Sequence, residues 1–139
     1  MKVFFDNNTA PAVASTLDGF IRHSGHQALH IKDVPGLPNG RHTADVDWLN
    51  HLKNDTDAWC FITGDARLHK NPAERQALRS AGLHGFVLAP AYQKTPLHQI
   101  AASILWKWPE MLELMNLLTP PSLHVLPIGK STKLSSLPL

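Results

Sequence analysis

The five residues Trp59–Thr63, W-C-F-I-T, run apolar with no polar residue alternating between them. A strand with one wet face alternates, so a uniform run of this length must be covered on both faces, as in a parallel sheet with helices above and below it. Val3–Phe5 and Phe86–Ala89 have the same character. Between these runs the spacing changes. Ala10, Val13, Ala14, Leu17 and Ile21 recur at helical intervals, and Gly25 supplies a stop. Gln27–Lys32 alternates as a strand does and ends at Asp33, after which D-V-P-G-L-P-N-G-R-H-T must be loop.

The second half continues the alternation. A short helix is expected over Ala44–Leu52, with Thr43 as its N-cap. Asn71-Pro72-Ala73-Glu74 has the form of a helix start: Asn as cap, Pro first, and Glu reaching back as in a capping box. Gly82 ends that helix. Thr95-Pro96 opens a long apolar helix, which Pro109 is expected to kink or restart and Pro120-Pro121 to end. Leu123–Ile128 reads as a last strand, confined to an edge by Pro127. The pattern predicts an α/β fold, a three-layer α/β/α sandwich with a mostly parallel sheet of four to five strands. It occupies residues 1–130 as one domain, with residues 131–139 as a flexible tail.

Composition narrows the function classes. Thirteen basic and eleven acidic side chains leave a formal charge of +2, and nine histidines add partial charge near neutrality. This mildly basic balance permits a polyanionic partner without requiring one. No apolar run approaches the ~20 residues needed to span a bilayer, so no membrane role is expected. Val3–Phe5 is too short for the core of an export signal. The single cysteine, Cys60, rules out an internal disulfide and suits a reducing, cytoplasmic setting, where it reads as a buried small hydrophobe. The histidines form no helical pair with a flanking acid, and no second thiolate exists to suggest zinc.

The acids carry more information. In parallel sheets ligands gather at the carboxyl ends of the strands. Asp6 lies just past the first strand and Asp65, in T-G-D, just past Trp59–Thr63, so two distant acids can converge on one rim. T-A-D-V-D-W can add Asp45 or Asp47, and Asp33 is a substitute. Such carboxylates suit Mg²⁺ or Mn²⁺, hard ions that take oxygen ligands, activate water and steady a phosphate's charge. Each acid also has a local role open to it. Asp6 can begin a turn with Asn7 and Asn8, and Asp65 can pair with Arg67. Asp45 can answer the helix dipole, and Glu74 is explained by its capping box.

Taken together, F-F-D-N-N at Phe4–Asn8, S-G-H at Ser24–His26, H-I-K-D at His30–Asp33 and A-D-V-D-W-L at Ala44–Leu49 resemble a known family. W-C-F-I-T-G-D-A-R-L at Trp59–Leu68, N-P-A-E-R-Q-A-L at Asn71–Leu78, A-G-L-H-G-F-V-L at Ala81–Leu88 and W-K-W-P at Trp106–Pro109 extend the likeness. The chain resembles the PIN-like ribonucleases, in particular the VapC-type branch. That resemblance implies a PIN-like sheet and a metal-dependent endoribonuclease that cuts RNA phosphodiester bonds, commonly the toxin of a toxin–antitoxin pair. It implies Asp6, Asp45 and Asp65 as catalytic metal ligands for Mg²⁺ or Mn²⁺, and Asn8 as a neighbouring or substrate contact. Arg67 and Lys70 would meet the RNA backbone, and Asp47 and Glu74 compete as the fourth acid. An antitoxin protein and a homodimer are the implied partners. The rival readings are a catalytically inactive module that binds a partner protein through its C-terminal apolar helix, and a phosphatase acting on small esters. The phosphatase lacks a phosphate-cradling glycine loop.

Overall fold

The computed structural model describes residues 1–130 and 132–139. Six strands form one sheet: β1 Lys2–Phe5, β2 Gln27–His30, β3 Trp59–Thr63, β4 His84–Leu88, β5 Ser122–Leu126 and β6 Ser135–Leu137. Their spatial order is β2-β1-β3-β4-β5-β6, parallel throughout except for β6, which runs antiparallel to β5. The helices are α1 Pro11–Ile21, α2 Asp45–Asn54, α3 Pro72–Ala81 and α4 Leu97–Leu117.

The uniform runs end up where double burial demands. Every residue of β3 and β4 is buried. One apolar core joins Val13, Leu17 and Ile21 of α1 to Trp108, Met111 and Met115 of α4 over one sheet face. The other joins Trp48, Leu49 and Leu52 of α2 to Leu78 and Ala81 of α3 over the opposite face. The result is the expected three-layer sandwich. Gly85 is fixed by packing, because a Cβ there would lie 2.1 Å from the Phe61 ring, which crosses β4 at that point. Cys60 is fully buried, and burial pushes its thiol up to about 12, so it acts as a hydrophobe and not as a nucleophile.

Several elements depart from the sequence reading. The sheet has six strands, because Ser135–Leu137, expected within a flexible tail, pairs with β5. Residue 131, the start of that tail, lies outside the described residues. The return path is held to α4 by Lys107, whose buried Nζ donates to Thr132 O at 2.7 Å, and by Glu110, which accepts from Leu134 N at 3.3 Å. This places β5 inside the sheet and not at an edge. Pro127 is tolerated because β5 ends at Leu126. Pro109 sits inside one continuous α4. It is exposed while Lys107, Trp108 and Met111 around it are buried, so packing holds the helix through the one missing N–H. Thr43 does not cap α2. Its hydroxyl donates to Gly40 O at 2.7 Å and closes the preceding loop, and Ala44 takes the cap position.

This topology positions the site. From β1 the chain moves to β2 on one side, and every later parallel strand lies on the other side, so direction reverses between β1 and β3. The carboxyl ends of strands flanking such a switch point leave an open crevice.

Candidate metal centre

Asp6 follows β1 and Asp65 follows β3, adjacent strands running in parallel, so the two acids share one rim. The loops that carry them are tied together. Asp6 Oδ2 accepts the Thr63 hydroxyl, and the same Thr63 Oγ1 accepts Asp65 N–H at 3.0 Å. Asp6 Oδ1 accepts Gly64 N–H at 3.3 Å and Asn8 N–H at 3.2 Å, the latter closing an Asx turn. Gly64 is required by this approach: a Cβ would stand 2.9 Å from Asn8 O. Asp6 is only 2 % exposed, and desolvation raises its carboxyl to about 6, against the hydrogen bonds of Thr63, Gly64 and Asn8.

A buried histidine braces the first loop. His30, at the carboxyl end of β2, directs Nε2 to Thr9 O at 2.9 Å, while its Nδ1 accepts Lys32 N–H at 3.2 Å. With Nδ1 accepting, Nε2 must carry the proton and donate. The Thr9 hydroxyl in turn donates to Asp6 O at 2.7 Å. Burial lowers His30 and keeps it in this neutral form.

Two helix starts complete the rim. Asp45 stands in the first turn of α2, and its Oδ1 accepts Trp48 Nε1–H at 2.8 Å. The indole is stacked on Phe4 at 4.4 Å, so the core itself orients Asp45. Glu74 stands in the first turn of α3. The Asn71 side chain caps α3 by accepting from Ala73 N and Glu74 N, but the Asn71 N–H goes to Arg67 O at 3.3 Å. The reciprocal half of the capping box is therefore already filled, and the Glu74 carboxylate turns to the acids. Asp45, Asp65 and Glu74 each offer an oxygen within 4.8 Å of the other two.

The charges strain one another. Burial raises Asp45, with the charge of Asp65 adding to it and the Trp48 bond opposing it. Burial also raises Glu74, followed by the charges of Asp45 and Asp65, while Arg67 opposes. The charge of Asp45 also raises Asp6. Oxygen ligands of an octahedral ion at ~2.1 Å are about 3.0 Å apart when adjacent and about 4.2 Å apart when opposite. Three carboxylates with this spacing and mutual repulsion therefore fit a hard divalent cation.

The remaining candidates are scattered about this centre. Asn8 is exposed beside Asp6, its Nδ2 3.5 Å from Asp6 Oδ2. The Arg67 side chain is 89 % exposed, with Nε 3.5 Å from Asp65 Oδ1, and Lys70 is exposed in the same turn. Exposed Asp47 stands outside the converging trio, and so does buried Asp6, which the resemblance makes a ligand. Asp33 pairs with Lys32 at 3.0 Å. Arg41, not singled out from the sequence, reaches from the long loop to Asn7 Oδ1 through Nη2 at 3.0 Å and adds a cation at the rim. Thr63 has a sequence signal in T-G-D, which places a hydroxyl two residues before the acid.

A family model described as "PIN like domain" matches residues 1–90 of the 139. Searches of curated proteins and of solved structures found no match. The matched segment contains Asp6, Asp45, Asp65 and Glu74, and the chain belongs to the PIN-like domain family.

Proposed function

We propose that this PIN-like domain protein is a metal-dependent endoribonuclease that hydrolyses RNA phosphodiester bonds. PIN-like domains are commonly metal-dependent nucleases, and the observation that carries the reading here is the convergence of Asp45, Asp65 and Glu74 at the β1/β3 switch point. These three carboxylates would hold Mg²⁺ or Mn²⁺, with buried Asp6 as a fourth acid that feels the charge of Asp45. A bound divalent ion would neutralise the carboxylates, lower the pKa of a coordinated water and draw charge from the phosphate.

The protein's own residues supply the rest. Thr63 and Gly64 hold Asp6, Trp48 holds Asp45, and the Arg67 backbone N–H holds Asp65 Oδ1 at 2.9 Å. A bare acidic rim repels RNA, so the exposed Arg41, Arg67 and Lys70 around it would steer the phosphates in and fix their register. Asn8, beside Asp6, would contact the strand. The finer reading, a toxin with a cognate antitoxin, rests on the resemblance to the VapC-type branch. Trp106 and Leu117 of α4, 58 % and 75 % exposed, would offer the apolar surface for that partner or a second copy. The same surface is what favours the second reading, a silent binding module.

The test uses the purified chain and a labelled single-stranded RNA with Mg²⁺ or Mn²⁺. The expected result is cleavage that needs the ion and disappears in Asp65→Asn and Asp45→Asn with the circular dichroism unchanged. An intact RNA with both ions, or full cleavage by both variants, overturns the enzyme and leaves the module. Growth arrest on expression, relieved by a small protein encoded beside the chain, tests the toxin role. Expression without effect on growth contradicts it.

A further inference from the structure

A cavity of about 210 Å³ adjoins the acidic rim. Asn8 and Gly64, the two residues that meet beneath Asp6, form one wall, and Ala66, Tyr92, Leu97 and Ile100 are among those forming the rest. Gln93, exposed at the edge, adds a second carboxamide beside that of Asn8. The Tyr92 ring is a fixed wall. Its hydroxyl donates to Pro127 O at 2.9 Å, so it accepts from Ser103 Oγ at 2.8 Å and has no proton left to donate to a ligand.

We propose that this cavity receives one unpaired base of the RNA strand whose phosphate lies at the acids, so that Asn8, Gln93, Tyr92 and Leu97 set base preference next to the cut. The inference deepens the ribonuclease reading and rests on it for the position of the phosphate. Three observations favour a base. The cavity shares Asn8 and Gly64 with the acid-bearing loops, so its occupant would lie beside whatever the acids hold. Its volume is below the ~300 Å³ at which drug-sized ligand sites begin, and suits a single planar group. One turn of an α-helix about 10 Å across fills about 400 Å³, so a partner helix cannot enter it. The lining then divides as base recognition requires: apolar walls for the ring faces and two carboxamides, each with donors and an acceptor, for the edge.

The test compares an intact single-stranded RNA decamer with a decamer of the same backbone lacking every base. Affinities are measured in Ca²⁺ at low temperature, with the RNA checked by gel for integrity. Leu97 is 46 % exposed at the lip, so Leu97→Trp fills the cavity from outside, and Gln93→Ala serves if that variant is misfolded. The wild type should prefer the intact RNA, and the preference should shrink about 5- to 100-fold in Leu97→Trp, the worth of one stacked base. In wild-type cleavage maps of decamers with a single missing base, one bond at a fixed offset from the gap should be spared. An unchanged preference in both variants, or cleavage indifferent to the gap, overturns the pocket and leaves the nuclease. It would assign the cavity to a partner's apolar side chain. Base preference without cleavage overturns the nuclease and leaves the pocket. RNA that does not bind at all removes both.

Discussion

At the carboxyl end of the sheet burial raises Asp6 to about 6 and pushes Asp45 and Glu74 upward, whereas burial lowers His26 and His84 toward the amino end and His124 in the middle of β5. Desolvation is the first cause in all six, because it disfavours whichever form is charged. The consequences differ. A histidine pushed down becomes neutral at pH 7 and can settle into ordinary hydrogen bonds: His84 Nδ1 meets Ser122 Oγ at 2.6 Å, and His26 Nδ1 lies 3.2 Å from the chain's amino group. A carboxyl raised to about 6 is still mostly ionised at pH 7, so Asp6 stays charged there against the charge of Asp45. His26 and His84 have found partners, His124 Nδ1 is buried without one, and the carboxyl rim retains strain that a cation would relieve.

The widest break between the two ends is catalytic. Glu74→Gln removes one of three converging oxygens and should lower RNA cleavage at least a hundredfold, whereas Asp47→Asn, two residues from Asp45 but exposed, should leave it within about twofold. Initial rates with Mn²⁺ check both, and equal losses would dissolve the distinction.

Stability comes next. Asp6 is raised above its ordinary 3.8, so between about pH 4 and 6 the folded chain holds a proton that the unfolded chain has released, and stability falls as pH rises through that window. Asp6→Asn should therefore stabilise the metal-free protein by about 1–3 kcal/mol at pH 7.5 and have little effect at pH 4. Urea melts in a chelator measure it, and a destabilised variant at pH 7.5 would contradict the strain. Mn²⁺ at a hundred times its dissociation constant should stabilise the wild type by about 2.7 kcal/mol, with Glu74→Gln gaining less at the same concentration. Equal melting shifts in the two would place the ion elsewhere.

The amino end should slope the other way. His84 is lowered below its ordinary 6.5, so the unfolded chain binds the proton first and stability falls as pH drops below that value. Replacement by Leu should flatten this acid limb between pH 7 and 5, measured as the difference in slope, and an unchanged limb would contradict it.

The uniform strands and the helical stripes were legible in the sequence because double burial and helical period write themselves locally. So was the pairing of Asp6 with Asp65, which needs only strand order. Glu74 was obscured because its local signal was complete; only the loop contact from Asn71 N to Arg67 O frees it, and such a contact leaves no trace in the spacing. The separation of Asp47 from Asp45 is legible too. Two residues turn a helix by about 200°, so Asp45, sharing a face with Trp48, Leu49 and Leu52, excludes Asp47 from that face. β6 was hidden for a different reason: Ser-Ser-Leu has little strand character, and its pairing depends on a buried Lys107 twenty-five residues from its acceptor.

The central claim is that the carboxyl rim holds a divalent ion between helix starts and strand ends. Crystals soaked in Mn²⁺ test it most directly, through the anomalous signal of the metal. The expected map has its strongest peak within coordinating distance of Asp45, Asp65 and Glu74. A strongest peak among the histidines, or none at the rim at saturating Mn²⁺, would contradict the account.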